Sequence, residues 1–231
     1  MIIDLHVHTV RGSCDSSLSP QDMVEEAYRI GLQGVCLTEH GGPWDRFEFS
    51  KFVKQQNGLM VINAMEVETT AGHITVFGLD GYVAGIRDPW TLRKVADQTG
   101  AYVVLAHPFR NLLHKPPYNA TNLLFRGWNP LPTTVDEAIK HPIFEVVDAI
   151  EVANAGTIDA ENYFAWEVAK RRGKPTGGGS DAHSTNGRGR CVTVFQDNIT
   201  NQDEFLEALH AGRFYAATGL LVGELAEMEQ R

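Results

Sequence analysis

Six of the nine histidines in this chain lie in short polar pieces, most of them at the carboxyl end of an apolar run. The pieces read His6-Val7-His8, Thr38-Glu39-His40, Gly72-His73, Ala106-His107-Pro108 and Ser180-Asp181-Ala182-His183, and Asp15 and Glu66 stand in similar settings between them. Neutral imidazole and ionised carboxylate are the nitrogen and oxygen ligands that Zn, Mn and Fe accept. In a strand alternate side chains share a face, so His6 pairs with His8 and Asp181 with His183. Such a set gathered at one rim predicts a metallohydrolase.

The elements that must position these residues alternate along the chain. Ile2 to His6 reads as a strand. Ser19-Pro20-Gln21-Asp22 is a helix start, with Ser19 as N-cap and Pro20 in the first turn; Met23, Val24, Ala27 and Ile30 form its apolar face and Gly31 its stop. Strands follow at Gly34–Thr38 and Met60–Ala64, the first ending on Glu39-His40 and the second running into Glu66. Thr69 to Gly72 reads as a hairpin turn into His73–Gly78. A helix opens at Asp88-Pro89 and closes at Gly100, before a strand over Tyr102–Leu105. Val146–Val152 reads as a strand ending near Asn154, followed by a helix from about Asp159 to Arg172. Gly177, Gly178 and Gly179 mark a strand end where backbone passes close to something. The last clear helix opens at Asn201 and stops near Gly212, and Gly223 to Glu229 reads as a solvated acidic tail.

Strands and helices in alternation, with polar residues at strand ends, predict a parallel α/β sheet or barrel. The reactive groups of such a barrel lie at the carboxyl rim of its strands. The ligand-type residues spread from position 6 to position 183, which favours closure over an open sheet with one switch point. We expect one domain over residues 1–231. The segment from Asn111 to Thr134 is long, proline-rich and without periodicity, as lids and binding loops are.

The net charge of −9 argues against a stable complex with duplex nucleic acid. Cys14, Cys36 and Cys191 are widely spaced, without the pattern of a zinc knuckle or redox pair, and a reducing compartment is the simplest reading. The start resembles no signal peptide, and no apolar run approaches the roughly 18 residues of a membrane span. These features together predict a cytoplasmic protein.

In order, spacing and context, Asp4-Leu5-His6-Val7-His8-Thr9, Ser13-Cys14-Asp15 with Ser19-Pro20, Thr38-Glu39-His40, Glu66, His107-Pro108 and Ser180-Asp181-Ala182-His183 resemble the PHP (polymerase and histidinol phosphatase) domain. The loop from His8 to Asp15 is longer than in the common form of that family. The resemblance implies a distorted (β/α)7 TIM-like barrel, with a core over about residues 1–195 and a carboxyl-terminal extension over about 196–231. It also implies a centre of two to three divalent metal ions (Mn, Zn or Fe). His6, His8 and Asp181 would hold the first metal, Asp15, His40 and His183 the second, and His73 and His107 the third, with Glu66 bridging. A metal-bound water held by Glu66, Asp181 and His183 would be the nucleophile of a phosphoesterase. Two cations about 3.5–4 Å apart neutralise phosphoryl oxygens and lower the pKa of water between them.

Arg110, Arg188 and Asn154 are candidates for binding the substrate, and Asp4 and Glu39 for orienting histidines. His114, His141 and His210 read as loop and helix-surface residues. The substrate would be a small phosphorylated molecule or a short oligonucleotide, with histidinol phosphate one specific case. Two other classes stay open: an amidohydrolase acting on C–N bonds, disfavoured because no lysine stands in a suitable strand, and a non-catalytic binding module, which would normally lack ligands.

Overall fold

The computed structural model describes residues 1–56 and 58–229. In chain order the elements are β1 (Ile2–Val7), α1 (Pro20–Ile30), β2 (Gly34–Glu39), α2 (Arg46–Val53), β3 (Met60–Thr69), β4 (Gly72–Phe77), α3 (Pro89–Thr99) and β5 (Tyr102–Leu105). They continue with α4 (Val135–Ala138), β6 (Ala149–Asn154), α5 (Asp159–Arg172), β7 (Thr176–Gly179), β8 (Cys191–Phe195), α6 (Gln202–His210), β9 (Phe214–Thr218) and β10 (Ala226–Glu227). The strands form one sheet in the order β10-β9-β8-β1-β2-β3-β4-β5-β6-β7. Pairing is parallel for β1–β2, β2–β3, β5–β6 and β6–β7, and antiparallel across β3–β4–β5 and from β1 out through β8, β9 and β10.

The sheet curls until the chain leaving β7 meets β1. The Asp181 N–H donates to His6 O at 2.7 Å and the His8 N–H to Ala182 O at 3.0 Å. Seven strands therefore ring a distorted TIM-like barrel, with an antiparallel stretch where a regular barrel would be parallel throughout. The glycines of β7 allow this closure. A Cβ on Gly178 would lie 2.6 Å from Val192 O, and one on Gly179 would lie 2.7 Å from His6 N and closer still to His6 Cβ. No other residue type fits there.

A register shift in β1 between Asp4 and Val7 aims the first two ligand candidates. Ile3 and Leu5 pack with Cys36, Ile62 and Phe77, whereas Val7 packs with Leu18, Met23 and Val24 of the helical layer outside. The bulge thus turns His6 and His8 to the barrel mouth. The buried Asp4 carboxylate stabilises it, its Oδ1 accepting the N–H groups of His6 at 3.2 Å and Ser180 at 2.8 Å.

Helix boundaries follow local chemistry. Ser19 Oγ accepts the Asp22 N–H at 3.0 Å, Asp88 Oδ2 the Thr91 N–H at 2.8 Å, and Asn201 Oδ1 the Glu204 N–H at 2.9 Å. Helix α6 closes the floor of the barrel, burying Phe205, Ala208 and Leu209 against Phe77, Tyr102 and Phe195.

Several features differ from expectation. Strand β6 begins at Ala149 rather than Val146, because the N–H groups of Val146 and Val147 both turn back to Ile143 O. Helix α2 and strands β8 and β9 were not anticipated. The tail is not simply solvated: Ala226 and Glu227 pair with β9, and Met228 is buried among core residues. His141 is likewise a core residue, stacked on Trp128 with ring centroids 5.3 Å apart, and its Nδ1 accepts the Ile143 N–H.

Candidate metal centre

Glu66 is buried on β3 at the middle of a ring of imidazoles. Its Oε1 lies 3.0 Å from His107 Nε2, 3.1 Å from His73 Nδ1 and 3.3 Å from His6 Nε2. Its Oε2 lies 3.2 Å from His40 Nδ1 and 3.5 Å from His8 Nε2. Asp181 Oδ1 lies 3.5 Å from His6 Nε2 and 3.3 Å from His8 Nε2, and Asp15 Oδ2 is 3.3 Å from both His40 Nε2 and His183 Nε2. The structure thus brings together all nine residues singled out as ligands. Donor atoms close enough to share one ion come from His6, His8 and Asp181; from His6, Glu66 and His107; and from His8, His40 and His183. Asp181 and His107 adopt φ values of +53° and +28°, strained backbone for side chains aimed into a site.

Outer partners fix the direction of the first two rings. His6 Nδ1 lies 3.0 Å from the buried Glu151 Oε1, which can only accept its proton. His8 Nδ1 lies 3.1 Å from Ser13 Oγ, and that hydroxyl donates to Glu39 Oε2 at 2.7 Å, so it accepts from the ring. With both rings neutral, the two Nε2 lone pairs face each other, 3.1 Å apart, with Asp181 Oδ1 beside them. Two lone pairs and a carboxylate directed at one point repel unless a cation stands between them. This donor set fits divalent metal ions, and Glu151 and Glu39 act as the outer carboxylates that commonly orient metal-bound histidine.

The electrostatics agree. Burial opposes charge on His6, yet the carboxylates of Asp181, Glu151 and Glu66 raise its pKa well above the usual value, a proton doing in part what a metal would do. Burial and the neighbouring His6 lower His8, and burial together with Arg110 lowers His107. For Glu66 and Asp181 burial would raise the pKa, but the surrounding imidazoles, with Arg110 beside Asp181, hold both well below the ordinary carboxylate range. A divalent ion bound here would displace the proton that His6 favours.

Arg110 stands at the edge of the cluster, its Nη2 paired with Asp181 Oδ2 and donating to Asn154 Oδ1 at 2.9 Å. Of the two other substrate-binding candidates, Asn154 lies behind Arg110 and Arg188 lies away from the cluster. Asn154 Oδ1 accepts from Arg110 and from the Gly156 N–H, while Nδ2 donates to Glu151 Oε2, so the amide braces its neighbours instead of facing a substrate. Arg188 is fully buried beneath α1, where Nη1 donates to Met23 O at 2.9 Å; its distance in sequence from His183 allowed a turn back under the helix. Glu151 is not among the residues expected at the site; its sequence signal is a lone charge within the apolar run Ala149-Ile150-Glu151-Val152-Ala153.

A distorted barrel with a histidine–carboxylate cluster at its mouth defines a class of α/β-barrel proteins suited to holding divalent metal ions. Sequence comparison places the chain within it more closely. The PHP domain family matches residues 4–126, more than half the chain, and the PHP-associated region matches residues 159–214. The chain belongs to the PHP domain family. A protein of Caldicellulosiruptor bescii described as a probable phosphatase is 26% identical over 211 residues, covering 82% of each chain. An error-prone DNA polymerase of Nocardia farcinica is 35% identical over 52 residues; this matches 22% of the present chain and spans only 4% of the polymerase. Among solved structures, a two-domain protein from Bacteroides vulgatus described as containing a predicted PHP-like metal-dependent phosphoesterase superposes with a TM-score of 0.63 at 22% identity, over 94% of this chain and 64% of that one. Endonuclease Q, solved with a 27-mer duplex bearing an abasic lesion at its active site, gives 0.55 at 17% identity, over 91% and 57%. At these identities the structural matches speak to the fold. No helix among the described residues is long and apolar enough to cross a membrane.

Proposed function

We propose that this chain hydrolyses a phosphate ester of a small molecule or short oligonucleotide, using two to three divalent ions (Mn, Zn or Fe) held by His6, His8, Asp15, His40, Glu66, His73, His107, Asp181 and His183. The observation that carries this reading is the convergence of the His6 and His8 Nε2 atoms on Asp181 and Glu66. Bound there, divalent cations supply Lewis acidity towards phosphoryl oxygens and a water acidic enough to attack near neutral pH. The chain does the rest. Glu66, Asp181 and His183 orient the attacking water, and Arg110 binds a phosphoryl oxygen through its planar fork. Asn154 and Glu151 brace Arg110 and His6, so the reacting groups need little rearrangement when substrate arrives. The net charge of −9 supports small substrates over duplexes, with the cations providing the local positive field. Continuity of the sheet from β1 through β10 supports reading residues 1–231 as one domain with an extension after about residue 195.

The test is turnover of p-nitrophenyl phosphate, bis-p-nitrophenyl phosphate and a hydantoin by protein of known metal content. Phosphoester hydrolysis that chelation abolishes, and that His8→Ala or Asp181→Asn removes, is the expected result. Hydantoin turnover would point to C–N bond chemistry. Metal-loaded protein inert to every phosphoester would point to a binding module.

A further inference from the structure

A recess of about 160 Å³ opens beside the metal centre, and His73, His107 and Arg110 of that centre form part of its wall. Gly72 of the hairpin turn, the end of β5 with Pro108, and the two ends of the segment from Asn111 to Leu124 form the remainder. That segment is built as a rigid wall. The buried Asn122 donates through Nδ2 to Pro108 O and Arg110 O, both at 2.9 Å, and its Oδ1 accepts the Phe125 N–H at 2.9 Å. Asn111, at φ +70°, donates from Nδ2 to Thr121 Oγ1 at 2.9 Å, which ties the two ends of the excursion together. Leu124 and Phe125 are buried in the core behind it. The turn that presents Arg110 and the wall of the recess are therefore one piece, formed before any ligand binds.

Volume decides what the recess can take. A cavity of about 150 Å³ accommodates a benzene molecule. A base joined to its sugar is two rings for a pyrimidine and three for a purine, more than that space encloses. An ester whose phosphoryl group lies between the cluster and Arg110 can direct its alcohol into the recess, because His73, His107 and Arg110 border both. Resting on the phosphoesterase reading, we propose that the recess holds the leaving alcohol of a phosphomonoester, so that the substrate is a compact ester whose alcohol is no bulkier than one six-membered ring. Asn111 Oδ1 provides a polar contact for a ring substituent, and the half-buried Leu123 sets the depth.

The experiment compares esters of rising bulk on the manganese-loaded protein: phenyl phosphate, 1-naphthyl phosphate and adenosine 5′-monophosphate. Binding of phenylphosphonate and 1-naphthylphosphonate, which cannot be hydrolysed, is measured alongside by calorimetry. The expected result is a kcat/KM for phenyl phosphate at least about 10-fold above the two larger esters, matched by tighter binding of the smaller phosphonate, with Leu123→Ala narrowing both ratios. Equal kcat/KM and equal binding across the series would overturn the recess as the specificity site while leaving the phosphoesterase reading in place. Size-selective phosphonate binding without turnover of any ester would keep the recess and overturn the phosphoesterase reading. Absence of both turnover and phosphonate binding would overturn both.

Discussion

His6 and Glu151, 145 positions apart in the chain, meet with imidazole Nδ1 3.0 Å from carboxylate Oε1. The other oxygen of the same carboxylate accepts the His107 N–H at 2.8 Å and the Asn154 amide at 2.9 Å. One buried acid thus sets the tautomer of one ligand candidate and the backbone of a second. Glu151→Gln keeps the shape but turns an amide NH2 towards groups that are themselves donors. Metal affinity should fall about 10–100-fold, as when other outer partners of metal-bound histidine are removed. Competition against a chromophoric chelator measures this, and an unchanged affinity would remove Glu151 from the account.

Arg110 and the metals are expected to separate in their effects. The guanidinium pairs with Asp181 but offers no lone pair to a cation. Arg110→Met should lower kcat/KM for a phosphomonoester about 100-fold, the scale of losing one charge-stabilising donor. Metal affinity should hold or rise, because a competing positive charge is gone. A variant that loses its metals in parallel with its activity would assign Arg110 to holding the centre together.

Arg188 provides the contrast. It is fully buried, its Nε and Nη2 have no hydrogen-bond partner, and the same holds for the Oδ2 of Asp4. Burial raises the Asp4 pKa, and the charge of Arg188 counters that rise. Arg188→Met removes a charge that offsets the buried Asp4 and leaves Met23 O without this donor, and should cost about 1–3 kcal/mol of stability, with part recovered in the double variant Arg188→Met/Asp4→Asn. Urea unfolding measures the loss. Where the single variant remains folded, its KM should match that of the parent; a raised KM would return Arg188 to the substrate.

His141 gives the pH dependence a component remote from the metals. Burial lowers its pKa from 6.5 to about 4, so the folded protein keeps the ring neutral while the unfolded chain takes up a proton. The associated stability is complete above pH 6.5, falls as the pH drops towards 4, and is constant below that. Over this window the loss should be about 3 kcal/mol at 1.36 kcal/mol per pKa unit. His141→Asn keeps an acceptor for the Ile143 N–H and cannot titrate. The difference between the two stability profiles should open only below pH 6.5; parallel profiles would contradict a neutral core histidine.

Much of this architecture was legible because it rests on local chemistry. The N-cap Ser19, the Asp88-Pro89 start and the glycine stops mark α1 and α3 at their ends, and the paired His6 and His8 follow from strand alternation. The glycines of β7 could be read as a close approach because only a missing side chain lets β7 lie against β1 and β8. What stayed hidden depends on distant partners. Strand β8 is set by pairing with Ile2 and Ile3, and β9 by pairing with β8. Nothing in a short acidic tail shows that Met228 will find an apolar floor. The fate of Arg188 and Asn154 likewise turned on which way a side chain points after a turn, which spacing alone does not determine.

The central claim is that residues from six strands and the segments after them converge to hold divalent cations, and anomalous diffraction from crystals grown with manganese tests it most directly. The account predicts at least two anomalous peaks, one contacting His6, His8 and Asp181 and another contacting His40, His183 or Asp15. Well-ordered crystals with these side chains in place and no peak among them would contradict it.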